Sequence, residues 1–301
     1  MSRESNKDMY VAAKISVINQ ELNEIFSTKQ IERASFTEAL SMLERNSTKL
    51  SLDNSVISSD FKNNSIGIVE QFTNSYASYV YEKIFKASTQ DLKELLTTYY
   101  LKYQIHNIIV TLRCIASNDS NDIRTYLIGN KIQKEHCIKA TGFSYEEALK
   151  YFSTKFKFPK NLLKFNSIDT IMYLETGLYK WYHEELQKFL IEYYNDSIIQ
   201  KEHKKHIDVL NMKLLKISKE LDESNIEELF ILGGSKKIDS LKIDSINLDE
   251  IEGLQRAFKE DVYTKTKLRG FGTHFMILNF LQKFEIKLQE VSRMLKEKAL
   301  Q

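Results

Sequence analysis

Residues that interrupt helices are scarce in this chain. Pro159 is the one proline, and nine glycines are spread over 301 residues. A β-sandwich is disfavoured because its many turns need both residue types in quantity. Hydrophobic residues make up 42% of the chain, enough to build a large core, and the length allows two or three units. The sequence therefore predicts an almost entirely helical, all-α fold.

Cysteine and an excess charge of one sign are also lacking. Cys114 and Cys137 are the two cysteines, and neither lies in a CxxC pair, so a disulfide framework, a zinc site and a redox motif are not indicated. The 43 basic and 41 acidic residues nearly balance. Since no stretch is basic enough to follow a phosphate backbone, we predict that the chain does not bind nucleic acid.

Long hydrophobic runs are missing as well. The longest apolar stretches, such as 275–281, fall far short of the roughly 20 residues that span a bilayer. The first nine residues are charged and lack the apolar segment of a secretory signal. We expect a soluble, cytoplasmic chain that could still sit on a membrane complex.

Apolar residues recurring at three- and four-residue intervals predict a succession of helices. The predicted helices cover 7–26, 36–43, 66–85, 90–116, 124–126, 132–140, 145–152, 169–194, 201–221, 226–232 and 248–258, with a last one ending near 298. Stretches rich in Ser, Asn and Asp at 47–64 and 117–122 predict connectors. On the last helix, one face carries a core-type stripe made of Ile277, Phe280, Leu281, Phe284, Leu288, Val291 and Leu295.

A four-residue pattern occurs three times within these helices. Its first residue is polar, its second is β-branched and apolar, and another apolar residue follows three places after its last residue. The copies read Gln104-Ile105-His106-Asn107, Asp208-Val209-Leu210-Asn211 and, more faintly, Glu285-Ile286-Lys287-Leu288. Three similar helical repeats are therefore predicted, at 1–117, 118–234 and 235–301. Repeated helical units are typical of a scaffold or connector.

Asn107 and Asn211 stand out because the asparagine amide competes with helical backbone hydrogen bonds. A buried asparagine that bridges to a neighbouring helix would repay that cost and fix the helix register. A solvated helix position is the equally open alternative.

Candidates for chemistry are weak. His203 and His206 have the i, i+3 spacing of metal ligands, but Lys201, Lys204 and Lys205 surround them, so we interpret this stretch as a solvated helix face. The other histidines, His106, His136, His183 and His274, look scattered. Gly233-Gly234-Ser235-Lys236 lacks the spacing of a phosphate loop and is interpreted as a helix C-cap. No catalytic, metal, cofactor or nucleotide site is predicted.

Three stretches, 95–113, 206–234 and 270–295, resemble the C-type stalk component of archaeal and vacuolar-type rotary ATPases, called the d component in eukaryotic vacuolar enzymes. Members of that family show an aromatic or acidic residue, then Asn, then an apolar run ending in Arg, once per repeat. Here the family pattern falls on Tyr103, Asn107, Arg113, Asp208, Asn211, Gly270, Gly272 and Glu285. The sequence departs from the pattern at Lys216-Ile217, where the family carries Arg, and at Leu288, where it carries Asn.

The resemblance implies a funnel of three similar helical domains on the cytoplasmic face of a membrane-embedded rotor ring, receiving the D and F components of the central shaft. It implies a non-catalytic component of the central stalk that passes torque between ATP chemistry and proton or sodium movement, without binding nucleotide itself. Two other classes stay open. One is a helical adaptor that binds partner helices in a groove, and the other is an all-helical enzyme with a site that the sequence hides.

Overall fold

The computed structural model describes residues 3–25, 28–49, 65–118, 123–129, 131–194, 198–221, 230–235 and 273–300. Across these ranges the regular elements are helices and no residue lies in a strand, so the all-α fold class is confirmed. In chain order the α-helices are α1 (Arg3–Ile25), α2 (Thr28–Arg33), α3 (Phe36–Lys49), α4 (Ser65–Ala87), α5 (Gln90–Ser117), α6 (Lys131–Ala140), α7 (Tyr145–Phe156), α8 (Ile171–Tyr194), α9 (Ile198–Leu221) and α10 (Thr273–Ala299). Short 3-10 helices occur at Ile123–Thr125, Lys160–Lys164 and Ile168–Thr170.

The chain forms two compact units. Unit 1 combines Met1–Leu96, His106–Phe143 and Phe271–Gln301, and unit 2 combines Thr97–Ile105 with Ser144–Gly270. The helix α5 therefore contributes residues to both. The predicted repeats at 1–117, 118–234 and 235–301 stay a prediction, because 236–272, which makes up much of the third, lies outside the described residues.

Unit 1 is organised around α10, which packs against α1 and α4. Six of the seven predicted stripe residues are buried, as the three- and four-residue spacing requires: Ile277, Phe280, Leu281, Phe284, Val291 and Leu295. Leu288 departs from that prediction and is only half-buried. At the far end of α10, the Lys296 ammonium lies 2.7 Å from the Glu70 carboxylate, and Lys298 donates to the carbonyl of Ala34 at 2.8 Å.

In unit 2, α8 packs along α9, and α7 begins at a capping box. The Ser144 hydroxyl accepts from the Glu147 amide, while the Glu147 carboxylate accepts from the Ser144 amide at 3.0 Å. These two bonds satisfy backbone donors that the first turn of a helix leaves open. The left-handed residue Lys157 (φ 56°) ends α7 shortly before Pro159, which cannot continue a helix.

The predicted helices agree with the observed ones over most of the described residues, but not everywhere. The helix α3 continues past its predicted end at 43 to Lys49, so the connector predicted at 47–64 is wrong for 47–49. Residues 230–232 were predicted to end a helix but are not helical, so the interpretation of Gly233-Gly234 as a helix C-cap is wrong. The helix α2 was not predicted. The predicted helix at 248–258 and the turn at Gly270 and Gly272 lie outside the described residues. Within the described ranges, no helix combines the length and the apolar character needed to cross a bilayer.

Candidate functional site

A buried asparagine in α5 holds the backbone of a residue far along the chain. The Asn107 side chain donates from Nδ2 to the carbonyl of Ile128 at 2.6 Å, and its Oδ1 accepts from the Ile128 amide at 2.9 Å. The partners lie 21 residues apart in sequence. Asn107 is 1% exposed, so both ends of its amide are satisfied away from water. We call this pairing the first clasp.

The same arrangement recurs in α9. Asn211 Nδ2 donates to the carbonyl of Ile231 at 2.8 Å, and Oδ1 accepts from the Ile231 amide at 2.9 Å. These partners lie 20 residues apart, and Asn211 is 2% exposed. We call this pairing the second clasp. The hydrogen bonds and the burial match and the sequence separations differ by one residue, so the two clasps have the same local geometry.

A glycine in the left-handed region closely follows each clasped isoleucine: Gly129 has φ 112° and Gly233 has φ 92°. Residues with a Cβ rarely adopt these angles, so the turn after each clasp depends on glycine. A second helix holds each turn. The Gly129 amide donates to Ser78 Oγ of α4 at 2.9 Å, and the Gly233 carbonyl accepts from Gln187 Nε2 of α8 at 3.3 Å.

Further polar contacts tie the clasped segments to their helices. In unit 1, His106 Nε2 lies 3.1 Å from the Tyr126 carbonyl, which also accepts from Asn74 Nδ2 at 3.3 Å. In unit 2, Asp208 Oδ2 accepts from the Ser235 amide at 3.2 Å, and the Asp208 residue is 7% exposed. The backbone groups of Tyr126 and Ser235, which lie outside the α-helices, are thereby paired with side chains.

Both asparagines are thus buried and bridging, and the solvated alternative is wrong. The predicted bridge to a neighbouring helix is also wrong, because each side-chain amide binds the backbone of a non-helical segment. The sequence pattern did not indicate Ile128 and Ile231. The signal that could have found them is a pair of apolar residues and a glycine, Leu127-Ile128-Gly129 and Ile231-Leu232-Gly233, about 20 residues after each asparagine.

The other residues of the family pattern lie outside the clasps. Tyr103 is half-buried with its ring 5.3 Å from that of Tyr100, Arg113 is exposed, and Glu285 is half-buried on α10. Gly270 and Gly272 lie outside the described residues. The structure therefore brings together Asp208 and Asn211 in unit 2 and places Asn107 in unit 1. The roles that the resemblance gives these residues stay a prediction.

The prediction of a solvated helix face at His203 and His206 is wrong. His203 is 8% exposed, and its ring centroid lies 5.6 Å from that of His183 on α8, while the His206 centroid lies 5.5 Å from His183. The flanking Lys201 and Lys205 are exposed because they point to the opposite side of α9. We call His183, His203 and His206 the histidine cluster.

Burial sets the protonation of His183 and His203. It lowers the pKa of His203 to about 4. Burial, together with the neighbouring His206, His203 and Lys102, lowers the pKa of His183 well below its ordinary value. Both rings are therefore neutral at pH 7. Among the described residues, no group of three His, Cys, Asp or Glu side chains is arranged to hold a metal ion.

Comparison with known proteins assigns the chain to a class of rotary ATPase stalk components. The sequence model of the ATP synthase (C/AC39) subunit family matches residues 18–299. Because the match spans nearly the whole chain, the chain belongs to this family, which is the family of C-type and d-type stalk components that the sequence pattern indicated. The comparison with curated proteins gave no match.

Proposed function

We propose that the chain is the central-stalk component of a V/A-type rotary ATPase. In this role it joins the D and F components of the shaft to the membrane rotor ring and passes torque for ATP-coupled proton or sodium transport. The observation that carries the proposal is the family match across 18–299. The protein acts peripherally, on the cytoplasmic face of the membrane, and performs no ATP chemistry itself.

The clasps support a mechanical role. A connector under torque must keep its segments in register, and directional hydrogen bonds define a register more narrowly than the hydrophobic effect, which is not directional. Each clasp adds two directional hydrogen bonds inside a dry core, where such bonds are electrostatically stronger than in water. Each clasp holds its segment, 126–129 or 230–235, to one helix, and the bonds from Ser78 and Gln187 hold it to a second.

The proposed architecture is a funnel of three helical domains at 1–117, 118–234 and 235–301, with the shaft received in the cavity above. The recurrence of the clasp in the first and second copies of the pattern supports an internal repeat. The third copy has Leu288 where the others have asparagine, so its side chain cannot form a clasp.

Stoichiometry tests the proposal. The tagged chain should be produced together with candidate D and F shaft proteins and a rotor ring, and the purified complex weighed by native mass spectrometry. We expect one copy of the chain per complex, retained when either the ring or the shaft is omitted. Recovery at the copy number of the ring protein, or no recovery with either partner, would contradict the proposed position.

Nucleotide binding provides an independent check. Because the sequence shows no phosphate-binding loop, we expect calorimetric titration of the isolated chain with ATP to show no heat of binding, with or without Mg²⁺. The control is a titration of the catalytic sector of the same complex, which must show binding under identical conditions. Saturable ATP binding by the isolated chain at micromolar concentration would favour the enzyme class that the sequence left open.

A further inference from the structure

The histidine cluster has no part in the proposed function, yet it places three imidazoles in the contact between α8 and α9. His183 comes from α8, and His203 and His206 come from α9, with ring centroids 5.5 to 5.6 Å from that of His183. His183 and His203 are 7% and 8% exposed. His206 is half-buried. Burying a protonated imidazole is costly, so the two buried rings are stable in this contact only while they are neutral.

Protonation would add an N–H that neither buried ring can pair, although the bond that His203 already makes to the His183 backbone raises its pKa, against the larger effect of burial. The His203 ring is hydrogen-bonded to the backbone of His183. Within the described structure, Nδ1 of His183 and Nε2 of His203 are buried and have no hydrogen-bond partner. A neutral imidazole can leave its acceptor nitrogen unused at modest cost. A protonated one carries two donors, and the added N–H would be buried without an acceptor.

The surroundings offer little to stabilise a cation. The charges that act on His183 are those of His206, His203 and Lys102, which are all basic. Lys102, on α5, already lies 3.8 Å above the Tyr99 ring. Tyr182, beside His183 on α8, meets it ring edge to face at 4.8 Å.

Carboxylates near the cluster in sequence have partners of their own. Glu185 of α8 lies 2.7 Å from the Lys188 ammonium. Glu184 of α8 pairs with Lys180 at 4.0 Å. Asp208 of α9 accepts from the Ser235 amide. The acids with known partners are therefore already engaged, and the charges that act on His183 are basic, so an imidazolium formed there is not stabilised by them.

The cluster lies next to the second clasp on both of its helices. On α8, Gln187, which binds the Gly233 carbonyl, follows His183 by one turn. On α9, Asn211, which binds Ile231, follows His203 by two turns. Any movement that separates α8 from α9 at the cluster acts directly on the residues that hold the segment 230–235.

We propose that the histidine cluster is an acid-sensitive latch, whose protonation separates α8 from α9 and releases the segment 230–235 from the second clasp. This inference concerns unit 2 alone and does not rest on the proposed function. It adds a regulatory element that would expose Ile231, now 4% exposed, together with the backbone that Asn211 covers.

The sign of the effect follows from proton binding. Burial holds the pKa of His203 at about 4 and that of His183 lower than ordinary, whereas a histidine released to water has a pKa of about 6.5. The open state therefore binds more protons at any pH below about 6.5. The latch is fully stable above that pH and weakens progressively as the pH falls toward about 4.

Hydrogen exchange of the full chain tests the latch. Exchange of the amides of 230–235 and of α9 should be followed by mass spectrometry between pH 7.5 and 5.0, with intrinsic exchange rates corrected for pH. Each proton taken up on opening makes the opening constant rise about tenfold per pH unit below about pH 6.5. Peptides from 277–295 of α10, which carry no histidine, are the internal reference and should show no such rise.

Variants separate the cluster from general acid effects. Replacing both His183→Gln and His203→Gln should flatten the pH dependence of 230–235, whereas the matched change His136→Gln on α6 should leave it intact. If the double variant does not fold, the latch is tested in the unchanged chain alone, by comparing the pH dependence of exchange in 230–235 with that in 277–295 of α10. Equal opening constants at pH 5.0 and 7.5 would overturn the latch, as would protection of these amides on adding zinc at pH 7.5, which would identify a metal site.

Discussion

Each clasp asparagine forms two hydrogen bonds with the backbone of one isoleucine, as a neighbouring strand would. Asn107 binds Ile128 in this way, and Asn211 binds Ile231. An asparagine inside a helix costs helix propensity relative to leucine. That cost is small beside the penalty for leaving a buried N–H and C=O without partners, which is about 1–3 kcal/mol for each group. The balance at both sites therefore favours the amide.

The first prediction concerns the contribution of the Asn211 amide to the stability of the chain. Asn211→Leu keeps the size of the side chain but leaves both backbone groups of Ile231 unpaired, so the free energy of unfolding should fall by about 2–4 kcal/mol. Urea denaturation followed by circular dichroism measures the change. The control is Asn161→Leu, since Asn161 is exposed and belongs to the same unit; it should change stability by less than about 0.5 kcal/mol. Equal midpoints for the two variants would show that the second clasp is not stabilising.

The glycines after the clasps give a second prediction. Gly233→Ala adds a Cβ at φ 92°, where it also meets the Gln187 side chain, so we expect a loss of at least about 1 kcal/mol. Gly142→Ala is the matched control, because its φ is not in the left-handed region and the nearest atom to a Cβ there, the Lys139 carbonyl oxygen, is 3.7 Å away. Thermal melts of the two variants should differ by several degrees. A Gly233→Ala chain as stable as the control would mean that the turn relaxes freely.

At the scale of helices, periodicity predicted most elements well because an apolar face repeats every three to four residues in a buried helix. Periodicity is misleading where a segment is held by side chains from elsewhere. Residues 230–232 are apolar and look like the end of a helix, but their backbone is bound to Asn211, which lies 20 residues before Ile231. The burial of His203 was likewise hidden, because Lys201 and Lys205, two positions before and after it, lie on the exposed side of α9.

The helix α10 carries the third prediction, which the structure revises. The sequence favoured Leu288 as a core residue, but it is only half-buried, whereas Leu281 is 0% exposed. Leu281→Asp should therefore cost roughly 4 kcal/mol or more, through the lost side-chain burial and the unpaired carboxylate. Leu288→Asp should cost clearly less, because its carboxylate can reach water. Chemical denaturation of both variants tests the order, and a larger loss for Leu288→Asp would contradict the packing of α10.

At the scale of the whole molecule, the sequence predicted the family and the all-α class, and the match across 18–299 confirms the family. It also indicated three of the residues that hold the clasped segments, Asn107, Asp208 and Asn211. It could not indicate Ile128 or Ile231, because a partner's backbone has no sequence signature and the pairings span 21 and 20 residues. Contacts with a shaft or a ring leave no sharp motif either, since docking surfaces of scaffolds use ordinary surface residues.

Our central proposal is that this chain couples ATP hydrolysis to ion movement without catalysing either. The most direct measurement compares ATP hydrolysis with ATP-driven proton or sodium uptake in membrane vesicles that contain every other component of the complex, before and after the purified chain is added. We predict hydrolysis without uptake in its absence, and uptake restored on adding back one chain per complex. Uptake at the full rate without the chain, or loss of hydrolysis together with uptake when it is absent, would contradict the account.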